Sequence, residues 1–416
     1  MKKLASFAMA SALVFGLAAC SSSNEKTSTS TDKDSITLAV WGSSPSETEG
    51  LEKTVESFEK EKNIEVNIEV IQDNFQDALT ARFAAKNPPD VFNMEAFAAP
   101  KFIKSGVLED ITEDVENQDD FYQPVLDAFK DPDGKLYAVP KDYSTLAMYV
   151  NTDMLSKAGY SVEDVPKDWK GLVKFAEELQ KKLAKDQAAV IFDATFARNM
   201  SSLIASGLNP VTEDNLADFT SSKEAISFLK SIVDGNKEGY LKNPQIDLGM
   251  DSAGAAFGLN KAAIMIEGNW VLSALRQDYS DVNYQVMPAP TVNGKEQSMT
   301  FTVGYAIAKD TKKKEAAIEF VNYMTGEGQK QWSEISGTFP TRQSIAKEMD
   351  IESEDVLKAH IAGASYGTVW SSGINLPVIA TAFDNQFIAA INGDKSVDQA
   401  MKDAEKEANS EIERQQ

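Results

Sequence analysis

The chain has 416 residues, enough for two or three domains of the usual size of about 150 residues, and carries 41 basic against 64 acidic side chains, a formal net charge of −23. That balance is the opposite of the basic footprint that neutralises a phosphate backbone, so nucleic acid is not an expected partner, and it works against adsorption to an anionic membrane surface. With 42% apolar and 25% charged residues the chain is globular, while one cysteine and one histidine supply neither an internal disulfide nor a histidine-based metal cluster; no metal and no cofactor are expected.

Lys2 and Lys3 precede an apolar run, residues 4–17, that ends in Leu17-Ala18-Ala19-Cys20. This is the pattern of a secretory signal peptide over residues 1–19, too short for an ordinary membrane span of about 20 residues. Cys20, the chain's single cysteine, stands where this stretch resembles the lipobox of bacterial lipoproteins, which implies cleavage before Cys20 and acylation (palmitate) of its thiol. Residues 20–35 hold no large apolar side chain after the cysteine and read as a flexible tether. The expected location is therefore the extracytoplasmic face of the cell membrane, attached only through the lipid, in a single-membrane bacterium.

The folded body begins near Ile36. Residues 36–41 form a short β-type run that Gly42-Ser43-Ser44-Pro45 breaks. Residues 49–62 place Leu51, Val55 and Phe58 on one helical face, and residues 64–71 form a second strand with Val66, Ile68 and Val70 on one side. This order predicts a βαβ unit and a largely parallel sheet. Residues 78–85 are helical, and Pro88-Pro89-Asp90-Val91-Phe92 enters a third strand. Further on, 145–150 and 188–192 read as strands and 170–185 as a helix. Residues 255–266, 284–288 and 301–308 carry further strand or helix-to-strand signals, 315–323 is helical, and 397–412 is a charged amphipathic helix. With no tandem period, two α/β lobes fit best.

Catalytic motifs are imitated rather than present. Gly363-Ala364-Ser365-Tyr366-Gly367 matches the G-x-S-x-G pattern, but the segment before it is helical rather than a strand, and the histidine, His360, precedes the serine. His360 itself reads as an exposed or helix-capping residue. Asp131-Pro132-Asp133-Gly134 reads as a turn, since the remaining ligands of a calcium loop are missing.

Six blocks in order resemble the extracellular solute-binding proteins of ABC sugar importers, the family that includes maltose-binding proteins. They are residues 84–92, 102–111, 134–140 leading into 148–155, 257–270 with Glu267-Gly268-Asn269-Trp270, 304–307, and Gly337-Thr338-Phe339-Pro340-Thr341-Arg342. The resemblance spans nearly the whole chain after the leader. It implies an α/β clamshell of the periplasmic-binding-protein type, residues 36–143 with 304–340 forming one lobe and 144–303 with 341–416 the other. The chain would cross between lobes near 142–146, 299–304 and 339–344, and ligand would sit in the interlobe cleft. It further implies a non-enzyme: a monomeric, lipid-anchored receptor that passes a carbohydrate, an oligosaccharide, to ABC permease subunits. Alternatives are the same clamshell binding a non-sugar such as a polyamine, or a secreted carbohydrate-active enzyme.

A sugar site needs aromatic faces for the C–H side of a pyranose and short polar groups for its hydroxyls. Trp41 ends the first strand at a Gly-Ser-Ser loop, with Ser43 as a donor or acceptor. Glu95 follows the third strand, where the maltose-binding pattern has a tryptophan and an aspartate instead; this departure argues against maltodextrin specificity. Trp270 follows a strand, at a position where family members stack sugar. Asp142, Tyr143 and Ser144 occupy the first implied crossing and Tyr305 the second, Asn199 falls where relatives place cleft residues, and Trp370 lies in a small-residue stretch. Trp169 and Trp332 read as structural.

Overall fold

The computed structural model describes residues 34–72 and 74–415; the leader, Cys20 and most of the tether lie outside the described residues. Among these there are ten strands: β1 (Ser35–Trp41), β2 (Glu65–Ile71), β3 (Val91–Glu95), β4 (Ala138–Asn151), β5 (Ala188–Ile191), β6 (Leu241–Lys242), β7 (Ala262–Gly268), β8 (Tyr284–Pro288), β9 (Met299–Ile307) and β10 (Thr368–Val369). They connect in the order β2-β1-β3-β9-β4-β7-β5-β6, with β10 beside β9 and β8 beside β4. β1 is parallel to β2 and β3, and β5 is parallel to β6 and β7. Between these parallel sets, β9 and β4 run antiparallel to their neighbours.

Local chemistry explains the first unit. The helix Pro45–Lys62 starts at its capping box, Ser44 with Glu47, and stops at Asn63 in the left-handed conformation. It thus begins four residues before the apolar spacing becomes visible, because caps rather than periodicity set a helix end. On β2 only Val66 is buried; Val70 is 50% exposed. The far half of that strand, Ile68 and Val70, faces a cleft rather than the core.

Two lobes follow from separate cores. One gathers Leu38, Phe92, Tyr305, Phe320 and Trp332; the other gathers Met148, Leu172, Val190, Phe196 and Phe383. A third cluster, with Tyr149, Phe257 and Phe339, covers the opposite face of the second lobe's sheet, since Met148 and Tyr149 are adjacent on β4 and point to opposite sides.

β4 joins the lobes. All fourteen of its residues are buried; the first half pairs with β9 and the second with β7 and β8. The sequence pattern marks only 145–150 because Pro140, Lys141, Asp142 and Ser144 are poor strand formers, held extended here by tertiary pairing. Tyr143 and Phe339 exchange backbone hydrogen bonds of 3.1 and 3.0 Å, tying β4 to the later segment 337–342. Buried Asn269 ties them again: its side chain accepts from Thr145 N and donates to Gly337 O, both at 3.1 Å. Gly304 lets β9 approach β4, for a Cβ there would stand 2.9 Å from Val139 O.

Two sequence expectations resolve here. Ser365 lies on the helix Asp355–Tyr366 and bonds to Ala362 O, so no strand-to-helix elbow exists there. His360, on the same helix, is neither exposed nor a cap: it is 0% exposed. The helix packs across β4, where Nδ1 meets Thr145 O and Nε2 meets the Tyr149 hydroxyl, each at 2.7 Å. A neutral ring that donates from Nδ1 and accepts at Nε2 satisfies both partners.

Burial holds the His360 pKa down at about 4 against the opposing Thr145 bond. The unfolded chain takes up this proton near pH 6.5 and the folded chain does not, so the residue's contribution is complete above pH 6.5 and lost as pH falls towards 4. Urea unfolding at pH 7 and pH 4.5 should therefore show His360→Gln losing less stability across that window than the wild type, by about 2 kcal/mol.

Candidate functional site

β1 ends at Trp41, and Gly42 and Ser43 turn the chain towards the helix Pro45–Lys62. A Cβ on Gly42 would stand 2.5 Å from Gln72 Oε1, so glycine there admits the Gln72 side chain. The capping box fixes Glu47, whose carboxylate accepts from Ser44 N at 3.2 Å. Burial raises the Glu47 pKa, with Lys141 pulling it down and Asp142 pushing it up. β3 delivers Asn93 and Glu95, two residues apart and hence on one face.

A register shift between Pro140 and Asp142 interrupts the alternation of β4. Bulges re-aim side chains, and here Lys141 and Asp142, neighbours in sequence, form a buried ion pair. The Lys141 ammonium lies 3.9 Å from the centroid of the Trp332 ring, and Trp332 Nε1 donates to Asp142 Oδ2 at 3.1 Å. Each charge is thereby matched.

The second lobe supplies a different cluster. Glu267, near the end of β7, accepts from Arg198 Nη2 at 2.9 Å; burial raises its pKa and Arg198 opposes the rise. The Arg198 guanidinium stands 4.9 Å from the Trp270 ring and 5.2 Å from Phe301, and the two rings meet edge to face at 5.6 Å. Gly268 allows this: a Cβ there would lie 2.1 Å from the Trp270 ring. The sequence Glu267-Gly268-Asn269-Trp270 thus provides, in turn, a counter-ion, a space, a stitch to the crossings and an aromatic wall.

Together these elements enclose a cleft of about 770 Å³, the size of a small-molecule or oligosaccharide site. Trp41, Trp270, Phe301 and Trp332 give it aromatic surface from both lobes, interleaved with carboxyl, amide and hydroxyl groups. Burial lifts the Glu95 carboxyl to about 7, the Gln76 amide opposing in part; no cation pairs with it among the described residues.

Of the residues singled out from sequence, Trp41, Ser43, Glu95 and Tyr305 line the cleft from the first lobe, Asp142 and Ser144 at the crossing, and Trp270 from the second. Tyr305 is 1% exposed and packs on Phe320, so it contributes chiefly to the floor. Three candidates are placed elsewhere. Strand alternation turns Tyr143 away from Asp142 and Ser144, onto Tyr122 and Phe339. The Asn199 amide is spent on Asp193 O and Thr195 O, at 2.9 and 2.8 Å, pinning the start of its helix. Trp370 is packed against Phe97, Phe196 and Phe301. Sequence reading missed Arg198, Lys141, Gln72, Phe301, Trp332 and Asn93. For Asn93 a signal existed, since it shares a strand face with Glu95.

Two α/β lobes joined by crossing segments around a mixed aromatic and polar cleft define a clamshell binding protein. Residues 53–360 match the family described as bacterial extracellular solute-binding protein, and the chain belongs to that family, whose members are receptors rather than enzymes. It is 27% identical over 417 residues to the maltodextrin-binding protein MdxE of Bacillus subtilis, covering 97% of this chain and 96% of that one. It is 23% identical over 407 residues to the diacetylchitobiose-binding protein DasA of Streptomyces coelicolor, covering 91% of each. Among solved structures, an ABC substrate-binding protein of Listeria monocytogenes in complex with cycloalternan superimposes with a TM-score of 0.83 at 23% identity, over 92% of this chain and 99% of that one.

Because the folded Glu95 keeps its proton up to about pH 7 and the unfolded one releases it near 4.5, ionising this residue costs the fold stability as pH rises through that window. Glu95→Gln removes the cost. Urea unfolding should show the variant more stable than the wild type at pH 8, by on the order of 2 kcal/mol, and nearly equal to it at pH 4.5.

Proposed function

We propose that this protein is the substrate-binding component of an ABC importer and captures a carbohydrate, an oligosaccharide, in the interlobe cleft. The observation that carries this reading is the cleft's make-up: aromatic side chains contributed by both lobes, interleaved with polar groups, on a chain that matches sugar-binding relatives over almost its whole length. Aromatic faces suit the C–H side of sugar rings, and the surrounding groups suit hydroxyls. Contact residues in this reading are Trp41, Ser43, Glu95, Asp142, Ser144 and Trp270.

The lobes are 36–143 with 304–340 and 144–303 with 341–416. Ligand that touches both favours the closed state through contacts missing when the lobes are apart. Acylated Cys20 and the following tether hold the monomeric receptor at the extracytoplasmic membrane face, where the closed form meets its permease subunits. Among the described residues no helix is long and apolar enough to cross a membrane, which agrees with attachment through lipid. One feature favours a second ligand class: Glu47, Glu52 and Glu95 line the cleft without a cation partner among the described residues, as a polyamine site would require.

Thermal unfolding of the full chain against maltotriose, diacetylchitobiose, a galactooligosaccharide and spermidine separates these readings. A sugar at a hundred times its Kd stabilises by about 2.7 kcal/mol, and Trp270→Ala should weaken its binding about tenfold or more. A shift with spermidine alone would replace the carbohydrate reading, and no shift with any sugar would overturn it.

A further inference from the structure

Few buried side-chain polar atoms among the described residues lack a hydrogen-bond partner, and two of them line the cleft: Asn93 Oδ1 and Arg198 Nε. They stand on different lobes. Asn93 lies on β3 beside Phe92 and Met94 of the first core. Arg198 lies on the helix Phe196–Ala205, whose Phe196, Met200 and Leu203 belong to the second core.

Each atom is held where it is by its surroundings. Asn93 is 4% exposed, and its backbone is paired with Tyr305 in the β3–β9 ladder, so the amide cannot swing out to water. Arg198 is clamped by Glu267 on one side and by the faces of Trp270 and Phe301 on the other. These contacts fix the guanidinium but leave the Nε proton without an acceptor. A buried polar atom left unpaired is a standing cost to the fold. An acceptor on one wall and a donor on the other, both in the same cleft, point to a third party that completes them.

We propose that the cleft's ligand is read by this pair: it accepts a hydrogen bond from Arg198 Nε on one lobe and donates one to Asn93 Oδ1 on the other. The proposal deepens the receptor reading given above and rests on it for the identity of the ligand. Its chemistry narrows the class to molecules offering both an acceptor and a donor, as a polyol does at every hydroxyl. A polyamine in its protonated form has donors and no acceptor, so it satisfies Asn93 and leaves Arg198 Nε bare. Because the two atoms belong to different lobes, ligand that engages both also links the lobes.

Two conservative variants test the pair. Asn93→Leu keeps the shape and removes the unpartnered acceptor. Arg198→Lys keeps the charge opposite Glu267 and removes the Nε–H and the planar fork. In calorimetric titration of the full chain with maltotriose, diacetylchitobiose and a galactooligosaccharide, each variant should bind the sugar that the wild type selects about tenfold more weakly. The double variant should lose less than the product of the single losses, since either change alone frees the ligand from one lobe. Without sugar, Asn93→Leu should melt at the wild-type temperature or above it, because the amide oxygen contributes nothing to the empty fold. A drop of several degrees there would overturn the proposal by showing that Oδ1 has a structural partner, and so would unchanged sugar affinity in either variant. A wild-type chain that binds none of the three sugars sinks the carbohydrate reading, and the melting comparison of the empty proteins still decides whether the Asn93 oxygen is held in reserve.

Discussion

The structure depends on one extended strand being shared between two sheets. β4 lies wholly buried, gives its first half to one lobe and its second half to the other, and leaves no exposed linker at that crossing. Relative movement of the lobes has to be absorbed by a few residues near its middle, and that is where polar stitching concentrates. The Thr145 backbone is held by Asn269 and by His360, and the Tyr143 backbone by Phe339. An interface made of hydrogen bonds with defined partners favours discrete arrangements over continuous slackness, which is what a receptor with an open and a closed form requires.

Around that crossing, charge is handled in two ways. Lys141 with Asp142 and Arg198 with Glu267 are matched internally, and each pair spends its remaining surface against aromatic rings. The cations are therefore fixed members of the cleft wall rather than mobile hooks for an anionic solute. Glu95 is treated differently: buried at the end of β3 with no cation, it sits close to the balance between its protonated and ionised forms near neutral pH. Its state is set by whatever replaces the water beside it.

Much of this architecture was legible in the sequence. The βαβ start, the paired lobes and the approximate crossings follow from periodicity and from ordered family blocks, because those patterns report burial of long apolar faces. Trp41, Glu95 and Trp270 were legible because each follows an apolar strand, and strand ends in α/β lobes open onto clefts. Arg198, Lys141 and Trp332 were not, since their place depends on partners far away in sequence: Glu267, the bulge in β4, and Asp142. His360 was misjudged for the same reason. Nothing local distinguishes a histidine on an exposed helix face from one whose helix lies across a strand carrying Tyr149 and Thr145. Trp370 and Tyr143 show the converse, where an aromatic near small or polar residues is drawn into the core by other aromatics.

The outer strands of the sheet bear on how such a molecule behaves when many copies are crowded together. β2 forms one end of the strand order and β6 the other. β6 has two residues, while β2 presents Glu65, Asn67 and Glu69 at alternate positions, exposed to solvent. An open edge is a template on which another chain can add its own strand. Brevity at one end and repeated negative charge at the other discourage that addition, so receptors packed side by side resist zipping together through their sheets.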